Sequence, residues 1–173
     1  MLADFLPMDS LLPGLSAALD LHPLFVHFPV AFWLAAAGLL PLAMLRDDER
    51  LAHAGRLVLW LGTGAAALTV LTGYLAADRM GHDAPGHDLV HVHRNFMLGA
   101  TATAAVASAL AWKVRERRGP AATALLVVVL GLAAVTSLGA DRGAHLVFGY
   151  GMGVADAPVD DHGAGHDHGG HSH

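Results

Sequence analysis

The sequence predicts an all-α integral membrane protein: an up-down-up-down bundle of four transmembrane helices with a disordered His-rich C-terminal tail. Three observations predict it. The 173 residues are 54% hydrophobic and only 14% charged, against about 25% charged in an average soluble domain. Four segments reach the roughly 20 apolar residues that a hydrocarbon core about 30 Å thick requires. The basic residues between those segments collect on one side.

The first 20 residues have no basic start and carry Asp4 and Asp9, so they do not read as a cleaved signal peptide. Leu11, Leu12, Leu15 and Leu19 recur at helical spacing, which predicts an interfacial helix over Ser10–Leu19. Residues 21–155 form the membrane domain, with helices expected at about 24–45, 57–77, 89–112 and 121–140. The first, second and fourth spans contain no Asp, Glu, Lys or Arg, and the third contains only Arg94. A very apolar soluble bundle is the alternative, but Leu125–Leu130 reads LLVVVL and has no polar outer face. Pro29 and Pro41 each remove a backbone donor and should bend the first helix.

Arg46, Arg50 and Arg56 join the first two spans, and Lys113, Arg115, Arg117 and Arg118 join the last two. The other side carries only Arg79, Arg94 and Arg142. The positive-inside rule then makes both basic loops cytoplasmic and both termini periplasmic. Small residues mark helix seams in lipid. They are Ala31 and Gly38 on the first helix, Gly62, Ala66, Thr69 and Gly73 on the second, and Ala100, Ala104 and Ser108 on the third. Short loops make the first and third helices parallel and diagonal.

Composition excludes several chemistries. The absence of cysteine removes disulfides, thiolate metal sites and c-type haem attachment. The net charge is −5, with Asp156, Asp160, Asp161 and Asp167 in the tail, so nucleic acid has no electrostatic basis as a partner. No nucleophile motif, P-loop or His-Glu-x-x-His is present. Asp47, Asp48 and Glu49 read as a solvated loop.

The 13 histidines segregate. His53 alone falls on the cytoplasmic side, whereas His22, His27, His82, His87, His91, His93 and His145 fall at or near the outer face. At 100° per residue, His27 shares a stripe with Ala31, Leu34 and Gly38, and His93 shares one with Met97, Ala100, Ala104 and Ser108. Both are small-residue seams, so both rings should point inward at equal depth. Such a pair suits axial ligation of a b-type haem. His91 should face away from His93. His22, His91 and His145 are reserve ligands or ring-orienting donors, and Arg94 and Arg142 are candidates to meet haem propionates. A small-metal site built from His27, His93, Asp78 and His145 is the competing use of the same region. Helix capping or headgroup contact is the plain alternative for each histidine, as lipid phosphate is for Arg94.

The tail, residues 156–173, is rich in Gly, His and Asp and cannot build a core. His162, His166, Asp167, His168, His171 and His173 are candidate ligands for a divalent metal held without fixed geometry.

Leu21–Val30 reads LHPLFVHFPV. This run resembles the opening His-Pro-x-x-Val-His-Phe-Pro motif of the bacterial membrane family catalogued as domain of unknown function 2231. Gly73–Tyr74, His93–Arg94 and the close LVFGYGMGV at Leu146–Val154 are similar to further features of it. The resemblance covers roughly residues 21–154 and implies a four-helix protein of the bacterial inner membrane, some relatives being fused to redox modules. Phe148 stands where the family has tyrosine, and Tyr150 where many members have histidine. Gly149, Gly151 and Gly153 alternate, which is poor helix sequence, so residues 144–154 are expected to leave the helix as a lid over the outer end.

The function expected from these residues is a small haem-binding membrane protein, or subunit of one, passing electrons between membrane quinol and a periplasmic redox partner. The alternatives are a periplasmic-face metal-handling protein (zinc, copper, nickel or cobalt) serving a transporter, and a structural subunit without cofactor.

Overall fold

A computed structural model of the chain describes residues 21–78, 85–114 and 118–153. The predicted N-terminal interfacial helix and the tail lie outside the described residues. Five helices follow in order: α1 (His22–Phe25), α2 (His27–Arg46), α3 (Glu49–Asp78), α4 (His87–Lys113) and α5 (Pro120–Tyr150). No strand occurs among the described residues. With α1 and α2 nearly continuous, four stretches are long and apolar enough to cross a membrane: His22–Arg46, Glu49–Asp78, His87–Lys113 and Pro120–Tyr150.

The helices pack as a four-membered ring. α2 lies against α3, α3 against α4, α4 against α5, and α5 returns to α2. The parallel pairs α2/α4 and α3/α5 are the diagonals, as short loops dictate.

Local chemistry explains where the helices start and stop. α2 ends at Asp47, held left-handed at φ 53°, and the Asp48 amide donates to the Ala43 carbonyl at 3.1 Å. Asp48 Oδ1 accepts the Arg50 and Leu51 amides at 2.8 and 3.2 Å, a side-chain cap on α3. These acids are therefore helix punctuation, and α3 starts at Glu49 instead of Leu57. The first span is interrupted at Val26, ahead of Pro29, while Pro41 sits inside an unbroken α2.

The expected lid is not formed. α5 runs through Asp141, Arg142 and Gly143 to Tyr150, and stops where Gly151 turns left-handed at φ 65°. Each interior glycine costs the helix about 1 kcal/mol. Continuing the helix keeps every backbone group paired near the membrane and buries Leu146, only 7% exposed, in the bundle. Packing outweighs propensity here.

The bundle contains an internal repeat. Pro29, Trp33, Ala36, Leu40 and Ala43 are buried on α2, and Ala100, Ala104, Ala107, Ala111 and Val114, each 71 positions later, are buried or nearly so at the α4 end. Gly55, Leu59, Gly62, Ala66 and Thr69 are buried on α3, and Leu125, Val129, Leu132, Thr136 and Gly139, each 70 positions later, are buried on α5. The two helical hairpins are thus equivalent and run in the same direction, which places a pseudo-two-fold axis along the membrane normal. Their volumes are exchanged. Trp33 and Leu40 press on Gly62 and Gly55, where an added Cβ would lie 2.7 and 2.9 Å from their side chains. At the equivalent positions the second hairpin has Ala104 and Ala111 on the first helix and Leu132 and Leu125 on the second. Large faces small in the first hairpin, and the second carries the same sizes in the reverse order.

Candidate functional site

The end of the bundle where α2 and α4 begin is organised around Thr69. Pro29 has no amide to give the Phe25 carbonyl one turn earlier. The Thr69 hydroxyl, on α3, supplies that missing donor at 3.1 Å, and also lies 3.1 Å from the Ala65 carbonyl. Thr69 is 5% exposed, so its bonds are made away from water. Its own carbonyl accepts a hydrogen bond from His22 Nδ1 at 3.1 Å, with Thr72 Oγ1 3.4 Å from the same nitrogen. Pro29 of α2 thereby helps fix α1, and with it His22, against α3.

The second hairpin repeats the arrangement. His93 Nδ1 donates to the Gly139 carbonyl at 2.8 Å. His93 follows His22 by 71 positions, and Gly139 follows Thr69 by 70, the offsets of the repeat. Both rings also lie over a glycine one turn further along: a Cβ on Gly73 would come 2.9 Å from His22 Cε1, and a Cβ on Gly143 would come 2.9 Å from His93 Cε1. The two imidazoles meet near the pseudo-two-fold axis, with ring centroids 6.4 Å apart and planes at 79°.

A carbonyl only accepts, so each Nδ1 carries a proton and, in the neutral ring, the lone pair resides on Nε2. This is the tautomer that a metal-ligating histidine uses when its other nitrogen is held by a backbone carbonyl. Two such imidazoles are a donor set that suits a haem iron.

The other expected site residues fall as follows. His27 is exposed together with Ala31, Leu34 and Gly38. The predicted seam on the first helix is corrected: its buried stripe is that of Pro29, Trp33 and Leu40, and the small residues of the other stripe face outward. His93 does sit on the inward side of α4, with Ala100 and Ala104 buried beneath it. His91 is half-buried and meets His87, Nε2 to Nε2 at 3.0 Å. His145 is exposed, with its ring 5.5 Å from that of Tyr150. Arg142 is engaged: its Nη1 donates to the Leu138 carbonyl at 2.8 Å, lies 3.5 Å from Asp141, and the guanidinium sits 4.7 Å over the Phe96 ring. Arg94 is half-buried on α4, one residue beyond His93.

The small-metal alternative is not assembled. Among the described residues no three His, Asp or Glu side chains come together as metal ligands, so His27, His93, Asp78 and His145 do not form one site. His162, His166, Asp167, His168, His171 and His173 lie outside the described residues. At the opposite end of the bundle, a cavity of about 30 Å³ between Leu40, Ala43, Arg56, Val114 and Leu125 has room for one water.

Reading the sequence as stripes missed the roles of Thr69, Gly139 and Gly143 and placed His22 second to His27. A signal was present. His22-x-x-Phe25 and His93-x-x-Phe96 share one pattern, and Gly73 and Gly143 follow them at matching distances.

No curated protein and no solved structure matches the chain. A family described as predicted membrane protein (DUF2231) matches residues 18–156, a stretch that takes in α1 to α5 and both histidines of the pair. With most of its length in that match and four helices long enough to span a bilayer, the chain belongs to the DUF2231 family of predicted membrane proteins.

Proposed function

We propose that the protein is a small b-type haem-binding membrane protein, or a subunit of one, that passes electrons between membrane quinol and a partner on the outer face. The observation that carries this reading is the His22–His93 pair. Two imidazoles, one from each half of a pseudo-symmetric bundle, meet at 6.4 Å with both Nδ1 atoms held by backbone carbonyls. Bound there, haem supplies a one-electron iron couple. The chain's own residues do the rest. The Thr69 and Gly139 carbonyls keep the Nδ1 protons in place, which fixes the tautomer and the ring rotations. Gly73 and Gly143 let the Nδ1–Cε1 edges of the rings approach the helices, where a Cβ would press on them. The ligand pair replaces the expected His27–His93 combination, because His27 faces outward.

Visible absorption of the detergent-purified protein from haem-replete cells tests the reading. A reducible Soret and α band of six-coordinate iron is expected. His22→Ala and His93→Ala should each abolish or strongly shift it, and His27→Ala and His53→Ala should leave it unchanged. A colourless protein that takes up no added haem overturns the proposal.

A further inference from the structure

We propose that His87 and His91 form a second, separate site: a two-histidine chelate for a divalent cation of the zinc, copper or nickel class at the outer end of α4. It does not rest on the haem reading and uses none of its residues. The two histidines are four positions apart on one helix, so their side chains stack on the same face. Their Nε2 atoms stand 3.0 Å apart, with the ring planes at 84°. Two nitrogens bound to one metal at about 2.0–2.1 Å are roughly 2.9 Å apart at a right angle and roughly 3.3 Å apart in a tetrahedron. The observed spacing falls in that range; without the cation it is a hydrogen bond, and binding requires the donating ring to move its proton from Nε2 to Nδ1.

The start of the helix holds the pair in place. Gly86 is left-handed at φ 84°, and Tyr150 and Met152 pack where its Cβ would be. The residue carrying His87 is therefore anchored to the end of α5. Both histidines are half-buried, leaving a solvent side where water completes the coordination sphere. The positive end of the helix opposes a cation there, and exposed Asp88 in the first turn offsets it. Neutral imidazole nitrogens with water select the zinc–copper–nickel class over magnesium or calcium, which prefer oxygen.

Thermal unfolding of the full chain in detergent, with and without Zn²⁺, Ni²⁺ or Cu²⁺, tests the site. Binding to the folded bundle raises Tm by mass action, whereas ligand groups that bind alike in the folded and unfolded chain leave it unchanged. A rise of about 5 °C or more is expected at saturating Zn²⁺ or Ni²⁺ and none with Mg²⁺. His87→Gln and His91→Gln should each remove the rise, and His145→Gln should keep it. The metal-free Tm of each variant shows whether it folds, and the double variant His87→Gln/His91→Gln gives a further check. No rise in the natural protein, or a rise that survives both single variants, overturns the proposal.

Discussion

His22 and His93 are 71 residues apart in sequence, yet their rings meet edge to face with centroids 6.4 Å apart. They occupy the same position in two equivalent helical hairpins, and each gives its Nδ1 proton to a carbonyl of its own hairpin's second helix. Equivalence of this kind makes this end of the bundle a site shared by the two halves, and it sets up paired experiments.

Thr69→Val should destabilise the protein by about 1–3 kcal/mol, because the Phe25 carbonyl, already without an amide partner at Pro29, loses its remaining donor. Thr69→Ser keeps the hydroxyl and should recover most of the loss. Thermal or denaturant unfolding of the full chain in detergent measures both. Equal stability of the valine variant would show that the hydroxyl bond is dispensable.

Gly73→Ala and Gly143→Ala place a methyl 2.9 Å from the His22 and His93 rings. Each should lift a ring away from its carbonyl and shift the haem spectrum, and the two shifts should be similar because the half-sites are equivalent. Absorption spectra of the reduced proteins make the comparison. A shift from one glycine alone would mean the halves are not used alike.

Gly62→Ala should cost about 1–3 kcal/mol, since its Cβ would lie 2.7 Å from the Trp33 indole, a fully buried ring with nowhere to retreat. Gly99→Ala and Gly131→Ala meet nothing within 4 Å and should be neutral, or gain up to about 1 kcal/mol of helix propensity. The contrast in unfolding midpoints reads directly on the seam assignment.

Topology follows from the arginine and lysine asymmetry. A reporter fused after His173 should behave as periplasmic, and one inserted within Arg115–Gly119 as cytoplasmic. The reverse pattern would move the histidine pair to the cytoplasmic face.

The tail should bind divalent metal independently of the bundle, weakly and with loss of binding as acid protonates its imidazoles. A chain ending at Ala155 should insert and fold as before while its metal stoichiometry, measured by equilibrium dialysis, falls. Unchanged stoichiometry would exclude the tail as a collector.

Part of the site was legible in the sequence. The stripe that His93 shares with Ala100 and Ala104 is buried, as its small residues imply, whereas His91 is half-buried and paired with His87. The same rule failed for His27, because Ala31 and Gly38 are small residues that face away from the bundle. The glycine-rich close was misread for a related reason. Gly149 is poor helix sequence, but the helix extends because Leu146 finds a buried place against the other helices and Tyr150 packs over Gly86. The repeat escaped notice because few residues are identical across it; what repeats is burial, with large and small side chains exchanged between partners.

The sequence by itself determined the solvent, the number of spans, their order and the neighbour relations of the bundle. Each of these depends on properties that sum locally along the chain: apolar length, the placement of arginine and lysine, and loops too short to cross the ring. The tertiary structure decided which face of each helix is inside, and therefore which histidines meet. In lipid both faces of a helix are apolar, so hydrophobic periodicity does not point inward, and close packing between specific partners takes over. Trp33 finding its space at Gly62 fixes the rotation of α2. With that rotation set, His27 turns outward, and Thr69 captures both the orphaned Phe25 carbonyl and His22.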